Sequence, residues 1–274
     1  MQKIFYKRKK EFFMLWTQNE NNILVAGHRG NPTQYPENTL ISFQSAIDAG
    51  VDMIELDIQM TKDKQLVIIH NFTVDDTTNG TGYVRDMTLN ELRALDAGIQ
   101  HNGKYSGVKI PLFKEFLDLI KPYNNLLFDF ELKEYPTHDN QERAYKTVDM
   151  VISLIEEYNL ADKCVLNAFS SKLLYYIHQK YNGRFKLHGY YPKSLLSPEP
   201  GHNPYDFLYC ACVCEDFTRT TFDNLKNQGI DTWVGTHFKD RPSIQLAHEC
   251  GATLITCDNP VEVLSILKDM GLHQ

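Results

Sequence analysis

The chain alternates short β-branched and aliphatic runs with longer helical patterns along most of its length. This alternation is typical of repeated βα units around a parallel sheet. We count eight main predicted strands, at residues 23–27, 52–58, 126–132, 163–168, 185–189, 207–213, 230–234 and 252–256. Because eight parallel strands close a TIM barrel, the pattern predicts an α/β fold of the (β/α)8 type.

Local signals mark the ends of two of the helices. Asn38 is a candidate N-cap for a helix over residues 39–49, which Gly50 would end. Pro260 suits the first turn of a final helix over residues 261–269, because proline lacks an N–H that would be unpaired there anyway.

One stretch interrupts the βα rhythm. Residues 66–70 have the pattern of an additional strand, and the segment after them holds turn residues and one short helix at residues 89–95. We therefore expect a small insertion after strand two, at about residues 66–111. No Gly/Ser-rich or Pro-rich linker divides the rest, so residues 23–274 are expected to form one barrel domain.

The first 22 residues precede the first predicted strand and form a separate extension. Five of the first ten are Lys or Arg, and aromatic residues follow them. Two interpretations are open: a peripheral contact with anionic lipid, or a short helix that covers one end of the domain. We treat the segment as a structural extension.

Charge and hydropathy restrict the partners. The 274 residues carry a formal net charge of −7, which argues against binding of a nucleic acid backbone. No apolar run approaches the roughly 20 residues of a membrane span, and no secretory signal is evident, so we expect a cytoplasmic protein without a transmembrane segment. The sequence does not indicate an oligomeric state.

Six cysteines lie mostly within apolar segments and lack Cys-x-x-Cys spacing, which favours reduced thiols over disulfides. Cys210, Cys212 and Cys214 alternate along strand six and would share one face. That spacing could bind a soft metal, but small buried thiols are also a common filling of a strand.

Acidic residues lie near the carboxyl ends of two predicted strands, which is where barrel enzymes carry their catalytic groups. Glu55 and Asp57 are two residues apart and project to one face of strand two, where they repel each other unless a cation lies between them. Glu131 on the next main strand could add a third ligand. Oxygen ligands select a hard divalent ion such as Mg²⁺ or Ca²⁺. The alternative is a pair of ordinary surface acids.

Two histidines, His28 and His70, also lie at strand ends, where an imidazole could act as acid or base at neutral pH. Arg29 and Lys133 add positive charge that could bind a phosphate. The alternatives are a hydrogen-bonded structural histidine and simple neutralisation of the acids.

These residues belong to a longer series of motifs, in a fixed order: Gly27-His28-Arg29-Gly30, Pro36-Glu37-Asn38-Thr39, Asp52-Met53-Ile54-Glu55-Leu56-Asp57, Thr61-Lys62-Asp63, His70, Thr77-Thr78-Asn79-Gly80, Ile110-Pro111-Leu112, Glu131-Leu132-Lys133 and Thr256-Cys257-Asp258-Asn259-Pro260. In order and spacing the series resembles the glycerophosphodiester phosphodiesterases, over roughly residues 23–267.

The resemblance implies a divalent metal and hydrolysis of small-molecule glycerophosphodiesters to glycerol 3-phosphate and an alcohol. The residue roles that it implies are an acid/base pair (His28, His70), metal ligands (Glu55, Asp57, Glu131), phosphate-binding cations (Arg29, Lys133), residues that shape the site (Glu37, Asn38) and a substrate-binding aromatic (Trp233). Of the two histidines we take His28 as the base and His70 as the acid.

The chain departs from the family pattern at several places. Asn71 stands where the family usually has Asp, and Asp76 where it tends to have Arg; the usual Ser-Phe of strand four is Ala168-Phe169, and the motif around Trp233 also differs. The changes at Asn71 and Asp76 leave open a non-catalytic protein that binds a glycerophospho ligand. The basic N-terminal segment leaves open a phosphodiesterase for lysophospholipids or another phosphodiester.

Overall fold

Closure of a parallel sheet is the main feature of the fold. A computed structural model describes residue 16 and residues 22–101, 103–198 and 201–273. The strands are β1 (Leu24–His28), β2 (Met53–Met60), β3 (Leu66–Ile68), β4 (Leu127–Leu132), β5 (Cys164–Asn167), β6 (Lys186–Tyr191), β7 (Cys210–Val213), β8 (Asp231–Val234) and β9 (Leu254–Cys257). All except β3 pair in parallel, and β1 pairs with both β2 and β9. The predicted (β/α)8 barrel is confirmed.

Helices connect most of the strands. They are α1 (Leu40–Ala49), α2 (Leu89–Ala94), α3 (Phe113–Leu119), α4 (Gln141–Glu157), α5 (Ser171–Lys180), α6 (Arg219–Lys226), α7 (Arg241–Cys250) and α8 (Pro260–Asp269). In the described residues of the connection after β6 there are short 3-10 helices, Lys193–Leu196 and Pro204–Asp206, and no α-helix.

The predicted start of α1 is wrong by one residue. Thr39 is the N-cap, because its side-chain oxygen accepts a hydrogen bond from the Ser42 N–H. Asn38 instead has a left-handed backbone, with φ of 56°, and its side chain turns toward the barrel interior. Gly50 ends the helix and Pro260 begins α8, both as predicted.

The two faces of β2 are buried for different reasons. Ile54, Leu56 and Ile58 point outward into the apolar layer between barrel and helices. The alternate residues point into the barrel, so Glu55 and Asp57 are buried although they are acidic. A buried charge requires a partner, and the same alternation on β4 supplies several.

The insertion after β2 begins with β3, which is antiparallel to the end of β2 and shorter than predicted, ending at Ile68. The segment has an apolar cluster of its own: Val67, Ile69, Val74, Val84, Leu92, Ala97 and Ile110. Its helix α2 begins at a capping box in which Thr88 and Glu91 exchange hydrogen bonds.

The end of the barrel at which the strands begin is filled by apolar side chains. Trp16 packs there: its indole N–H donates to the Asp162 carbonyl at 2.7 Å and its ring meets the edge of Tyr209. Residues 1–15 and 17–21, which make up most of the predicted extension, lie outside the described residues. No helix in the described part of the chain is both long and apolar enough to cross a bilayer. All six cysteines are free thiols, and only Cys214 is exposed.

Candidate active site

Three acidic side chains meet at the carboxyl end of the barrel strands. The parallel register of β2 and β4 places Asp57 opposite Glu131, and Glu55 lies two residues earlier on the same inward face. Carboxylate oxygens from all three lie within 4.8 Å of one another, and all three residues are buried. Among the residues that the structure describes, no other group of His, Cys, Asp or Glu side chains is assembled in this way.

Two cations lie against this acidic triad. Lys133 Nζ is 2.8 Å from Glu131 Oε1 and 3.7 Å from Asp57 Oδ1. The Arg29 guanidinium Nε is 3.4 Å from Asp57 Oδ2, and the Arg29 backbone N–H donates to Glu55 at 2.9 Å. Both cations that the sequence indicated therefore contact the acids directly.

The charges of the triad are unbalanced. Burial raises the pKa of Glu55 well above its ordinary value, and the neighbouring carboxylates raise it further. Burial acts in the same direction on Asp57, but Lys133 and Arg29 outweigh it and hold the pKa of Asp57 below its usual value. Asp57 Oδ1 is also buried without a hydrogen-bond donor among the described residues. Oxygen ligands, excess negative charge and an unpaired acceptor are what a hard divalent cation requires, so the triad could hold a metal ion.

His28 ends β1 and faces the triad with one nitrogen. Its Nε2 is 4.0 Å from Glu55, and its Nδ1 is 2.6 Å from Asp258 Oδ1 just after β9. Burial tends to raise the pKa of Asp258, but the hydrogen bond and charge of His28, with the charge of Arg29, keep that pKa below its ordinary value. Asp258 is therefore an anionic partner of His28. The sequence placed it in the last motif of the resemblance without assigning it a role.

His70 lies two residues after the end of β3, in the loop that follows this strand. Its Nδ1 is 2.6 Å from Asn71 Oδ1, and Asn71 Nδ2 donates to Asp76 at 2.7 Å. Because Asp76 only accepts, it orients the Asn71 amide so that the amide oxygen faces His70. The two departures from the family pattern in this loop are thus in contact with each other. The residue before His70, Ile69, donates its backbone N–H to the Asp57 carbonyl at 3.0 Å, which places the His70 backbone beside the strand that carries two of the three acids.

The loop between β1 and α1 contacts the outer side of the site. Asn38 Nδ2 donates to Asp57 at 2.8 Å, and Glu37 pairs with the Arg29 guanidinium at 3.0 Å. An open pocket of about 230 Å³ lies beside His28, with Glu37 and Asp258 in its wall.

Trp233 is not brought to this site. It is fully buried, and its indole N–H donates to Asp231 at 3.0 Å, at the start of β8. Its ring packs against His188 and the apolar interior at the end of the barrel away from the triad. Its described contacts are therefore with Asp231 and His188 and not with a residue of the triad.

A residue that the sequence did not indicate, Tyr135, completes the inner wall. Its hydroxyl donates to Glu131 Oε1 at 3.1 Å. Burial raises the pKa of Tyr135, and the Glu131 charge raises it further, so the phenol remains a donor. Phe72, half-exposed, rests edge-on against the Tyr135 ring. No motif marks Tyr135, because its role depends on how the loop after β4 turns.

Comparisons with known proteins agree with this geometry. Residues 28–260 match the model of the glycerophosphoryl diester phosphodiesterase family. The chain is 40% identical over 151 residues to a glycerophosphodiester phosphodiesterase of Caldanaerobacter subterraneus, covering 54% of this chain and 58% of that protein. It is 32% identical over 185 residues to one from Bacillus altitudinis, covering 67% and 70%. The chain spans about half the length of several curated relatives, 46% to 58% for three of them.

Solved structures share the fold. A glycerophosphoryl diester phosphodiesterase of Parabacteroides distasonis superposes with a TM-score of 0.74 at 20% identity, covering 95% of this chain and 92% of that one. A phosphodiesterase of Oleispira antarctica, solved with its product sn-glycerol-3-phosphate, has a TM-score of 0.75 at 21% identity, covering 89% and 96%. At these identities the likeness supports the fold alone.

Proposed function

The chain belongs to the glycerophosphoryl diester phosphodiesterase family, and from this premise we propose that it hydrolyses glycerophosphodiesters to glycerol 3-phosphate and an alcohol. One observation supports the proposal most: the buried triad of Glu55, Asp57 and Glu131 lies at the carboxyl end of the barrel, with His28 Nε2 4.0 Å from Glu55 and the residue before His70 bonded through its backbone to Asp57. The product named for the Oleispira antarctica protein is the one proposed here.

The three acids of the triad would hold one divalent cation. Their ligand atoms are all oxygens, which favours Mg²⁺ or Ca²⁺ over softer metals. When bound, such an ion withdraws electron density from a phosphoryl oxygen and lowers the cost of the negative charge that develops there. Tyr135 and Asn38 hold two of the three carboxylates in place through hydrogen bonds.

Arg29 and Lys133 would bind the phosphate. Each already contacts a carboxylate of the triad, so each is held in one position before substrate arrives. A preorganised cation stabilises a transition state better than a mobile one, because little reorganisation is needed during the reaction. Glu37 restrains Arg29 from the outer side.

The two histidines would transfer the protons, and their Nδ1 partners suggest which does what. The Asp258 carboxylate stabilises a positive imidazolium at His28, which suits the acid that protonates the departing alkoxide. His70 faces a neutral amide oxygen, which keeps the proton on Nδ1 and leaves Nε2 as the acceptor. His70 would therefore take a proton from the attacking oxygen, which belongs to water or to the substrate's own glycerol hydroxyl. In the second case a cyclic glycerol phosphate forms as the alcohol leaves, and a water molecule must then open the ring to give glycerol 3-phosphate. This assignment reverses the one we expected from the sequence.

The test is release of glycerol 3-phosphate from a panel of glycerophosphodiesters with choline, ethanolamine and glycerol headgroups. We expect product with at least one headgroup, its loss in EDTA, and its recovery on addition of Mg²⁺ or Ca²⁺. Glu131→Gln should lower kcat/KM by about 100-fold or more, whereas Glu249→Gln, an exposed carboxylate on α7, should change it less than about twofold.

Two results would count against different parts of the proposal. Absence of product with every headgroup and every ion would remove the proposed activity. Product that chelation does not reduce would leave the activity but remove the proposed role of the triad.

A further inference from the structure

Gln59 makes an unusual set of hydrogen bonds next to the site. Its side-chain Nε2 lies 2.9 Å from the carbonyl oxygen of Ile69, 3.2 Å from that of His70 and 2.7 Å from that of Asn71. Three consecutive carbonyl groups therefore converge on one amide nitrogen. Gln59 is 2% exposed, so water does not compete with it as the donor to these three carbonyl groups.

This convergence has a physical cost unless a donor is present. Three carbonyl dipoles directed at one point repel one another, and a buried carbonyl without a donor costs free energy. A primary amide offers two N–H groups, so at least one of them is shared between two of the carbonyls. Strand β3 ends at Ile68, and the three residues that follow it surround this amide, which defines where they lie.

The same strand that carries the triad thus also holds the His70 loop. The Ile69 N–H donates to the Asp57 carbonyl at 3.0 Å, and Gln59 follows Asp57 by two residues on the inward face of β2. These two links determine the distance between the His70 backbone and the Asp57 carboxylate. The contacts of the His70 ring with Asn71 orient the imidazole but do not determine where its backbone lies.

We propose that Gln59 is a positioning residue that sets His70 at its working distance from the triad. The proposal rests on the proposed function, in which His70 transfers a proton. Gln59 itself touches no reacting atom. A displacement of about 1 Å at a catalytic group can lower a rate by about 100-fold, so loss of the Gln59 bonds should act on turnover.

The experiment compares Gln59→Met and Gln59→Glu in the full chain. Methionine keeps the approximate volume and removes the donors, whereas an ionised glutamate keeps the shape and adds repulsion toward the carbonyls. The matched control is Gln65→Met, an exposed glutamine in the β2–β3 turn whose amide makes one long bond, 3.4 Å, to the Asp63 carbonyl. The readouts are kcat and KM for the folded protein, and the NMR signal of the His70 imidazole in histidine-labelled protein, assigned with His70→Gln.

We expect kcat to fall about 10- to 100-fold in Gln59→Met and further in Gln59→Glu, with KM within about threefold of the parent. The His70 signal should shift in both variants while the His28 signal and the control do not change. A kcat within about twofold of the parent in both folded variants, or an unshifted His70 signal, would overturn the proposal. Because the NMR signal needs no turnover, a parent protein without activity refutes the proposed function and still leaves the positioning role to be judged by that signal.

Discussion

At the scale of single residues, the site concentrates more negative charge than its neighbours neutralise. Glu55, Asp57, Asp129 and Glu131 all point into the barrel and are buried. Arg29 and Lys133 face this group, and Asp129 pairs with His188 at 2.7 Å deeper in the interior. The raised pKa of Glu55 is the consequence, because burial and repulsion both favour its protonated form.

That raised pKa predicts how stability depends on pH when no divalent ion is present. The pKa of Glu55 is higher in the folded than in the unfolded chain, so the proton on Glu55 stabilises the folded state. This contribution to the free energy of unfolding is fully present below about pH 4.5, the ordinary pKa of the group, and is lost as pH rises through the pKa in the folded chain. In EDTA, the free energy of unfolding of the parent should therefore fall more between pH 5 and pH 8 than that of Glu55→Gln, because the glutamine side chain does not ionise. Urea denaturation at several pH values measures this, and equal losses in the two proteins would contradict it.

Asp258 offers a second prediction at this scale. Asp258→Asn keeps the hydrogen bond to His28 but removes the negative charge that stabilises its imidazolium. If His28 is the acid, kcat should fall about 10- to 100-fold, and the loss should be smaller for substrates whose alcohol is a good leaving group. Asp269→Asn, an exposed carboxylate at the end of α8, is the control. An unchanged kcat would mean that Asp258 does not assist His28.

At the scale of elements, the turn from β1 into the first loop determines where the site residues His28 and Arg29 lie. Gly30 has φ of 91° and lies against the Ser42 backbone of α1. Ser42 Oγ accepts from the Asn31 N–H and donates to the Arg29 carbonyl, which fastens the turn to the helix. The close packing of strand end and helix thus aims Arg29 at the triad.

Alanine substitutions separate backbone strain from steric overlap in this turn. A Cβ at Gly30 would lie 2.4 Å from Ser42 Oγ and 2.6 Å from the Ser42 carbonyl carbon, whereas a Cβ at Gly50, which has almost the same φ, meets nothing within 4 Å. We expect Gly50→Ala to cost about 1 kcal/mol and Gly30→Ala about 1–3 kcal/mol more, with lower activity only in the latter. Denaturation curves and kcat/KM test this; equal costs at the two positions would show that the contact with Ser42 is not restrictive.

At the scale of the whole molecule, the two ends of the barrel differ in the side chains that fill them. The carboxyl end carries the charged site, and the other end is closed by apolar side chains and Trp16. The Trp16 ring lies 5.6 Å from the Tyr209 ring, and Lys186 Nζ lies 5.3 Å from both ring centres. These neighbours begin strands or precede them, so Trp16 is far from the triad along the barrel axis.

This separation predicts that stability and activity can be changed independently. Trp16→Ala removes a half-buried ring and its hydrogen bond to the Asp162 carbonyl, and should lower the free energy of unfolding by about 1–2 kcal/mol. The kcat and KM of the folded protein should remain within about twofold of the parent. A large loss of activity without loss of stability would show that the two ends are coupled.

The sequence by itself determined the barrel and the positions of the acids on it. Strand and helix patterns depend on residues a few places apart, so the eight strands could be counted, and the two-residue period placed Glu55 and Asp57 on one face. Helix ends were predicted less well, and Asn38 was mistaken for the cap that Thr39 provides. A polar residue before a helix can either cap that helix or bond to the site. For Asn38 the partner is Asp57, which is distant in sequence, so the local pattern could not distinguish the two roles.

Only the tertiary structure decided which side chains meet across the closed barrel. Asp258 reaches His28 over 230 residues because β9 pairs with β1, and no local pattern encodes that contact. The same closure buries Trp233 away from the triad and brings the Tyr135 hydroxyl to Glu131. Residue type and spacing specify what a strand can present, but the register and closure of the sheet select its partners, since both depend on the packing of every strand at once.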